Sequence, residues 1–164
     1  MAARARRRAR TRNRGIRHHQ LCLSLAAPVA PRAFMAALHE PWPGVLRAKG
    51  FAFFATRLEV CYQWSLAGSA CALEPIGHWW AATAPEHWPE QAEQRAEILC
   101  DFEGELGDRR QELVLIGIAL DEAGMRERLE ACLLTPEEMQ LGPRGWQQLE
   151  DPLPTLETDD EQET

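Results

Sequence analysis

The octet Leu113 to Leu120, LVLIGIAL, is apolar at every position except Gly117, and it constrains the fold more than any other stretch of the chain. It follows a charged cluster, Asp108-Arg109-Arg110-Gln111-Glu112, and runs into Asp121-Glu122-Ala123, which reads as a helix start. Eight residues are too few for a spanning helix, and an apolar run bounded by polar residues reads as a strand. With no polar residue on either parity, it is expected to be central and covered on both faces.

A central strand needs partners, and alternation supplies them. In QLCLSLA, Leu21, Leu23 and Leu25 share one parity while Gln20, Cys22 and Ser24 share the other, the period of a half-buried strand. VLRAKGFAFFAT and EVCYQWSL are two more strands, read as a hairpin; the second sets Val60, Tyr62, Trp64 and Leu66 against Glu59, Cys61, Gln63 and Ser65. AGSA turns the chain into a fourth strand, CALEPIG, expected to end at Pro75 and Gly77 before a tryptophan-rich loop around HWWAA.

Helices fill the remaining segments. APRAFMAALHE is closed by PWPG, and in PEHWPEQAEQRAEIL Pro89 either confines the helix to its C-terminal part or marks its first turn. Asp121 stands at an N-cap, with Met125, Leu129, Cys132 and Leu133 on one stripe and Glu122 and Arg126 spaced for an ion pair. Thr135, Pro136 and Glu138 form a capping box that opens a short helix ended by Gly142 and Pro143. The expected fold is therefore α+β: two layers, a mostly antiparallel sheet of about five strands with helices packed on one face.

Charge divides the chain into three. The first 17 residues hold eight arginines and no acid; removing those charges from the formal net charge of −7 leaves −15 for the remainder. The expected division is an arginine-rich disordered leader over 1–17, a folded domain over 18–149, and an acidic disordered tail over 150–164, which holds seven acids and no base. As a nucleic-acid arm the leader is opposed by the acidity of everything after it, so nucleic acid is not the expected partner. No stretch approaches 18 apolar residues, so no membrane is expected and the cytoplasm is the default location.

Chemistry is poorly supplied. Lys49-Gly50-Phe51 lacks the Gly-Lys-Ser/Thr order of a phosphate loop, and none of Ser24, Ser65 and Ser69 lies in a G-x-S-x-G elbow. Five cysteines at wide spacings with no CxxC argue against a sequence-local zinc site and a disulfide scaffold, and the adjacent His18 and His19 would face opposite ways on a strand and not share an ion. The six tryptophans sit by prolines or on core-facing patterns and read as packing. No catalytic, metal-binding or cofactor-binding residue is expected, and the cluster 108–112 cannot form a catalytic site by itself.

Three segments in order, PWPGVLRAKGFAFFATR, LEPIGHWWAA and GDRRQELVLIGIALDEAGMRERLEACLLTPEEM, closely resemble the CobW C-terminal domain, the second domain of a P-loop GTPase family associated with metal insertion and zinc handling. The likeness runs from about Gly15 to Pro154. Members usually carry upstream a GTPase domain with a phosphate loop and a Cys-x-Cys-Cys motif, neither of which is in this sequence, so GTP hydrolysis does not carry over. The resemblance implies a regulatory or partner-docking module, non-catalytic and without a cofactor. Its implied partner is a protein: a separate GTPase of the family or a metalloprotein client, in zinc or cobalt homeostasis. Arg109 and Arg110 become candidates for partner salt bridges, and Arg47 and Lys49, which share a strand face, join them at the expected interface. The competing readings are a truncated piece of a longer GTPase, a metal-binding module using Cys22 and Cys61, and nucleic-acid binding through the leader.

Overall fold

The computed structural model describes residues 18–155. The expected leader, 1–17, and the tail beyond 155 lie outside the described residues. Five strands and five α-helices follow one another as β1 (His18–Leu25), α1 (Pro31–His39), β2 (Val45–Ala52), β3 (Val60–Ala67), β4 (Ala70–His78), α2 (Ala92–Cys100), β5 (Gln111–Ile118), α3 (Glu122–Glu130), α4 (Pro136–Gln140) and α5 (Gly142–Trp146). The strands make one sheet of order β1-β5-β2-β3-β4, antiparallel throughout. The expected α+β architecture is thus the observed one.

The sheet is held by one packed face. Leu21, Leu23 and Leu25 of β1, Leu113 and Leu115 of β5, Ala48 and Ala52 of β2, and Tyr62, Trp64 and Leu66 of β3 are buried with Phe34 and Ala37 of α1 and Met125 and Leu129 of α3. Each large apolar side chain buried there contributes roughly 1.5–3 kcal/mol. Phe34 makes edge-to-face contacts with Phe54 at 5.5 Å and Trp64 at 5.9 Å between ring centroids, the arrangement that aromatic quadrupoles favour.

β5 slots between β1 and β2 and fits tightly. A Cβ on Gly117 would lie 2.0 Å from the Gly44 carbonyl oxygen, beside the register shift between Val45 and Arg47, so only glycine lets the two backbones meet. β5 is interior, as expected, but it is not covered on both faces: Leu113 and Leu115 are 2% and 0% exposed, whereas Ile116 and Ile118 are 36% and 39% exposed. α1 and α3 pack against one side of the run, and its other parity faces outward.

Local signals resolve much as expected. Asp121 accepts the Gly124 N–H at 3.0 Å, and Thr135 and Glu138 close a reciprocal capping box at 3.2 and 2.9 Å. Glu122 and Arg126 form no ion pair despite their spacing. Gly142 and Pro143 do not merely end α4; they open α5, with Pro143 in the first turn, where a missing N–H is harmless. β2 stops at Ala52 rather than Thr56, because Phe53 and Phe54 turn fully into the core and Phe54 bridges to Val29. β4 runs through Pro75 and Gly77 to His78; at the edge of the sheet the proline's absent N–H costs no ladder bond, and a register shift absorbs the extra residue.

Residues 151–154, read from the sequence as part of the acidic tail, lie against the β2–β3 loop. Leu153 is buried, and Asp151 receives Arg57 Nε and Thr56 Oγ1, both at 2.8 Å. Arg57 also donates to the carbonyls of Leu153 and Pro154 and to Tyr62, so residues 151–154 are tied to the β2–β3 loop. Burial pushes the Asp151 carboxyl up, but hydrogen bonds from Arg57, the Leu153 N–H and Thr56 outweigh it and leave the group below its usual range.

Candidate functional site

The uncovered face of the sheet carries rows that the register fixes. Gln20, Ile116, Arg47 and Ala67 make one row; Cys22, Val114, Lys49, Ser65 and Ala72 the next; Ser24, Glu112, Phe51, Gln63 and Glu74 a third. Residues paired directly across antiparallel strands point to the same side, so each row is a line of neighbouring side chains. Four of the polar or basic residues anticipated on open strand faces, Arg47, Lys49, Gln63 and Ser65, therefore come together.

The two ends of this face differ. At the third row the 79–110 excursion between β4 and β5 folds over the sheet. Trp79 is buried, donates its indole N–H to the Val60 carbonyl at 3.0 Å and meets Phe51 edge-on at 5.8 Å. Asp108, 6% exposed, accepts the backbone N–H groups of Trp80 and Ala81, each at 2.9 Å, and so fixes the start of the excursion. α2, within the excursion, buries none of its residues.

At the first two rows nothing lies over the sheet among the described residues. Val114, Ile116 and Ile118 form an apolar line down β5, and Arg47 and Lys49 stand opposite Ile116 and Val114 on β2. Successive same-face residues on a strand are about 6–7 Å apart, so the guanidinium and ammonium groups border the apolar line. Among the described residues neither cation has an ion-pair partner, although Glu112, on the same face, pairs with Arg110 at 3.2 Å. A shallow depression lined by Arg47, Lys49, Ser65, Ala67, Val114 and Ile116 lies between β2, β3 and β5. Apolar surface bordered by charge is suited to protein contact more than to turnover.

The other two anticipated interface residues part company. Arg109 is turned inward: Nε donates to the Leu58 carbonyl at 2.6 Å, Nη1 to the Leu106 carbonyl at 3.1 Å, and its guanidinium lies 5.9 Å from the Phe53 ring. Arg110 lies over Phe51 at 5.4 Å and pairs with Glu112 and Asp101, at the rim of the open face. Gln111, which sits unremarked in the charged cluster, is 1% exposed and binds both ways: its carbonyl accepts the Phe53 N–H at 3.0 Å and its amide donates to the Ala27 carbonyl. No local pattern marks Gln111, because its partners are brought in by remote loops.

Among the described residues no group of three or more histidine, cysteine, aspartate or glutamate side chains gathers. Cys22 and Cys61 stand on β1 and β3, with β5 and β2 between them. Burial, helped by nearby Asp108, pushes the Cys61 thiol up to about 11, so it is protonated at neutral pH and a poor ligand or nucleophile.

The class defined by this geometry is a two-layer α+β module with one sheet face packed and the other partly open. The chain belongs to a family: the sequence model described as "Cobalamin synthesis protein cobW C-terminal domain" matches residues 19–133. A curated relative, "Zinc-regulated GTPase metalloprotein activator 1" of Dictyostelium discoideum, is 38% identical over 111 residues, 67% of this chain and 23% of the relative. The match thus spans about a quarter of that protein's length. Among solved structures, the Zn(II)-bound YjiA GTPase from E. coli aligns with a TM-score of 0.47 at 16% identity, and a Zn(II)-bound triple mutant of YjiA with 0.48 at 15%. Each alignment covers 71% of this chain and 30% of the other.

Among the described residues no helix is long and apolar enough to cross a membrane.

Proposed function

We propose that this chain is a non-catalytic docking and regulatory module whose open sheet face binds the GTPase domain of a protein in the same family, in zinc or cobalt homeostasis. The observation that carries the reading is the apolar line Val114-Ile116-Ile118 bordered by Arg47 and Lys49, which have no ion-pair partner among the described residues. A surface of this kind is matched by a partner patch that is apolar with acidic residues at its margin. The association with GTPases and zinc is supported by the relative's name and by the family to which the chain belongs. Arg110 stands at the rim and can join the contact; Arg109 serves by holding the 106–110 turn beneath it. The free cysteines suit a reducing compartment, in keeping with a cytoplasmic site of action.

The test is titration of the purified full chain with separately produced GTPase domains of the family, followed by calorimetry. Reversing both charges, Arg47→Glu with Lys49→Glu, is expected to weaken binding tenfold or more at low salt while leaving the circular dichroism spectrum unchanged. Binding untouched by the reversal, or no binding to any family GTPase domain, would sink the reading.

A further inference from the structure

The two edges of the sheet are built differently. β4, at one edge, carries Pro75, which has no N–H to offer, a register shift that leaves Ile76 outside the pairing, and Gly77 at φ 151°. Such features blunt an edge against further strand pairing. β1, at the other, runs eight residues in unbroken register with β5 and contains no proline, glycine, lysine, arginine, aspartate or glutamate. Among the described residues its backbone makes no hydrogen bond beyond the ladder to β5. An uncharged, regular edge with an unused row of donors and acceptors is a template for one more strand.

We propose that the strand is β1 of a second copy, paired antiparallel across a two-fold axis at Cys22, so that two five-stranded sheets become one of about ten strands. A two-fold axis normal to the sheet keeps each side chain on its own face, which requires a residue to pair with its own counterpart at the axis. With Cys22 there, Leu21 stands opposite Leu23 on the packed face and Gln20 opposite Ser24 on the open face, apolar against apolar and polar against polar. No charged group from either strand meets its like. The joint uses the edge of the sheet and leaves the Arg47 and Lys49 surface free, so it stands or falls separately from GTPase docking.

Sedimentation velocity on the full chain over a concentration series tests the joint. A concentration-dependent species of twice the 18.6 kDa chain mass is expected. Cys22→Lys, which sets two ammonium groups opposite each other, should raise the dissociation constant at least tenfold, and Cys22→Ser should change it less than threefold. Gln20→Lys with Ser24→Lys should act like Cys22→Lys, and serves if that chain fails to fold. Amide exchange in β1 should slow as concentration rises. A monomer at every concentration, a dimer indifferent to these lysines, or β1 protection independent of concentration, which would mean that another part of the same chain covers the edge, would each overturn the proposal.

Discussion

The two faces of β5 use the same kinds of residue for opposite purposes. Leu113 and Leu115 are sealed beneath α1 and α3, while Val114, Ile116 and Ile118, one residue out of phase, look outward beside Arg47 and Lys49. Hydrophobicity alone therefore does not say what a side chain does; which side carries the helices does. Burial makes the first set a source of stability, and exposure leaves the second in contact with solvent.

The contrast can be broken most severely from the packed side. Trp64→Ala removes a fully buried indole that touches Phe34 and Trp42, and should cost about 3–5 kcal/mol in urea unfolding. If it costs under ~1 kcal/mol, the packed face is not the core. Arg57→Ala should cost about 1–3 kcal/mol, since it strips Asp151 and the Leu153 and Pro154 carbonyls of a donor. The pH dependence has a definite sign. Because the folded Asp151 carboxyl lies below its unfolded value, its stabilisation is complete above the ordinary carboxylate range and fades as pH falls through the folded value. Asp151→Asn should therefore flatten the acid limb of the stability profile.

Smaller changes sharpen the comparison. Arg109→Ala should cost about 1–2 kcal/mol by removing the guanidinium from the Leu58 and Leu106 carbonyls, of which only the second keeps a donor in the backbone N–H of residue 109, and Arg110→Ala less than half of that; equal costs would erase the distinction between tether and rim. Thr135→Ala should cost ~1 kcal/mol by removing the cap of α4. Ile116→Ser, on the open side, should stay within about 0.5 kcal/mol in thermal or urea unfolding, and a large loss there would show that something in the chain covers this face.

Those differences bear on what can be read along the chain. The alternation of β3 announces its inner face, Val60 to Leu66, because polar residues mark the other parity. From Leu113 to Ile118 no position of β5 is polar, so the run shows neither period nor phase, and a strand open on one side looks like one covered on both. The clamp of Arg57 on Asp151 joins residues 94 apart, and nothing local distinguishes Asp151 from the acids that follow it. Arg109 and Arg110 are adjacent and chemically alike, yet in the turn that precedes β5 they part, one onto Leu58 and the other onto Phe51.

By itself, the sequence determined the α+β class, the caps at Asp121 and Thr135, the inward parity of β1 and β3, and the likeness to one family's C-terminal domain. Each depends on contacts within a few residues or on a pattern repeated along one element. Only the tertiary structure decided that β5 enters between β1 and β2 and that, among the described residues, its outer parity stays open next to Arg47 and Lys49 and β1 pairs on one side alone. These are properties of which elements lie beside one another, and sheet order and helix placement are set by packing across the whole domain.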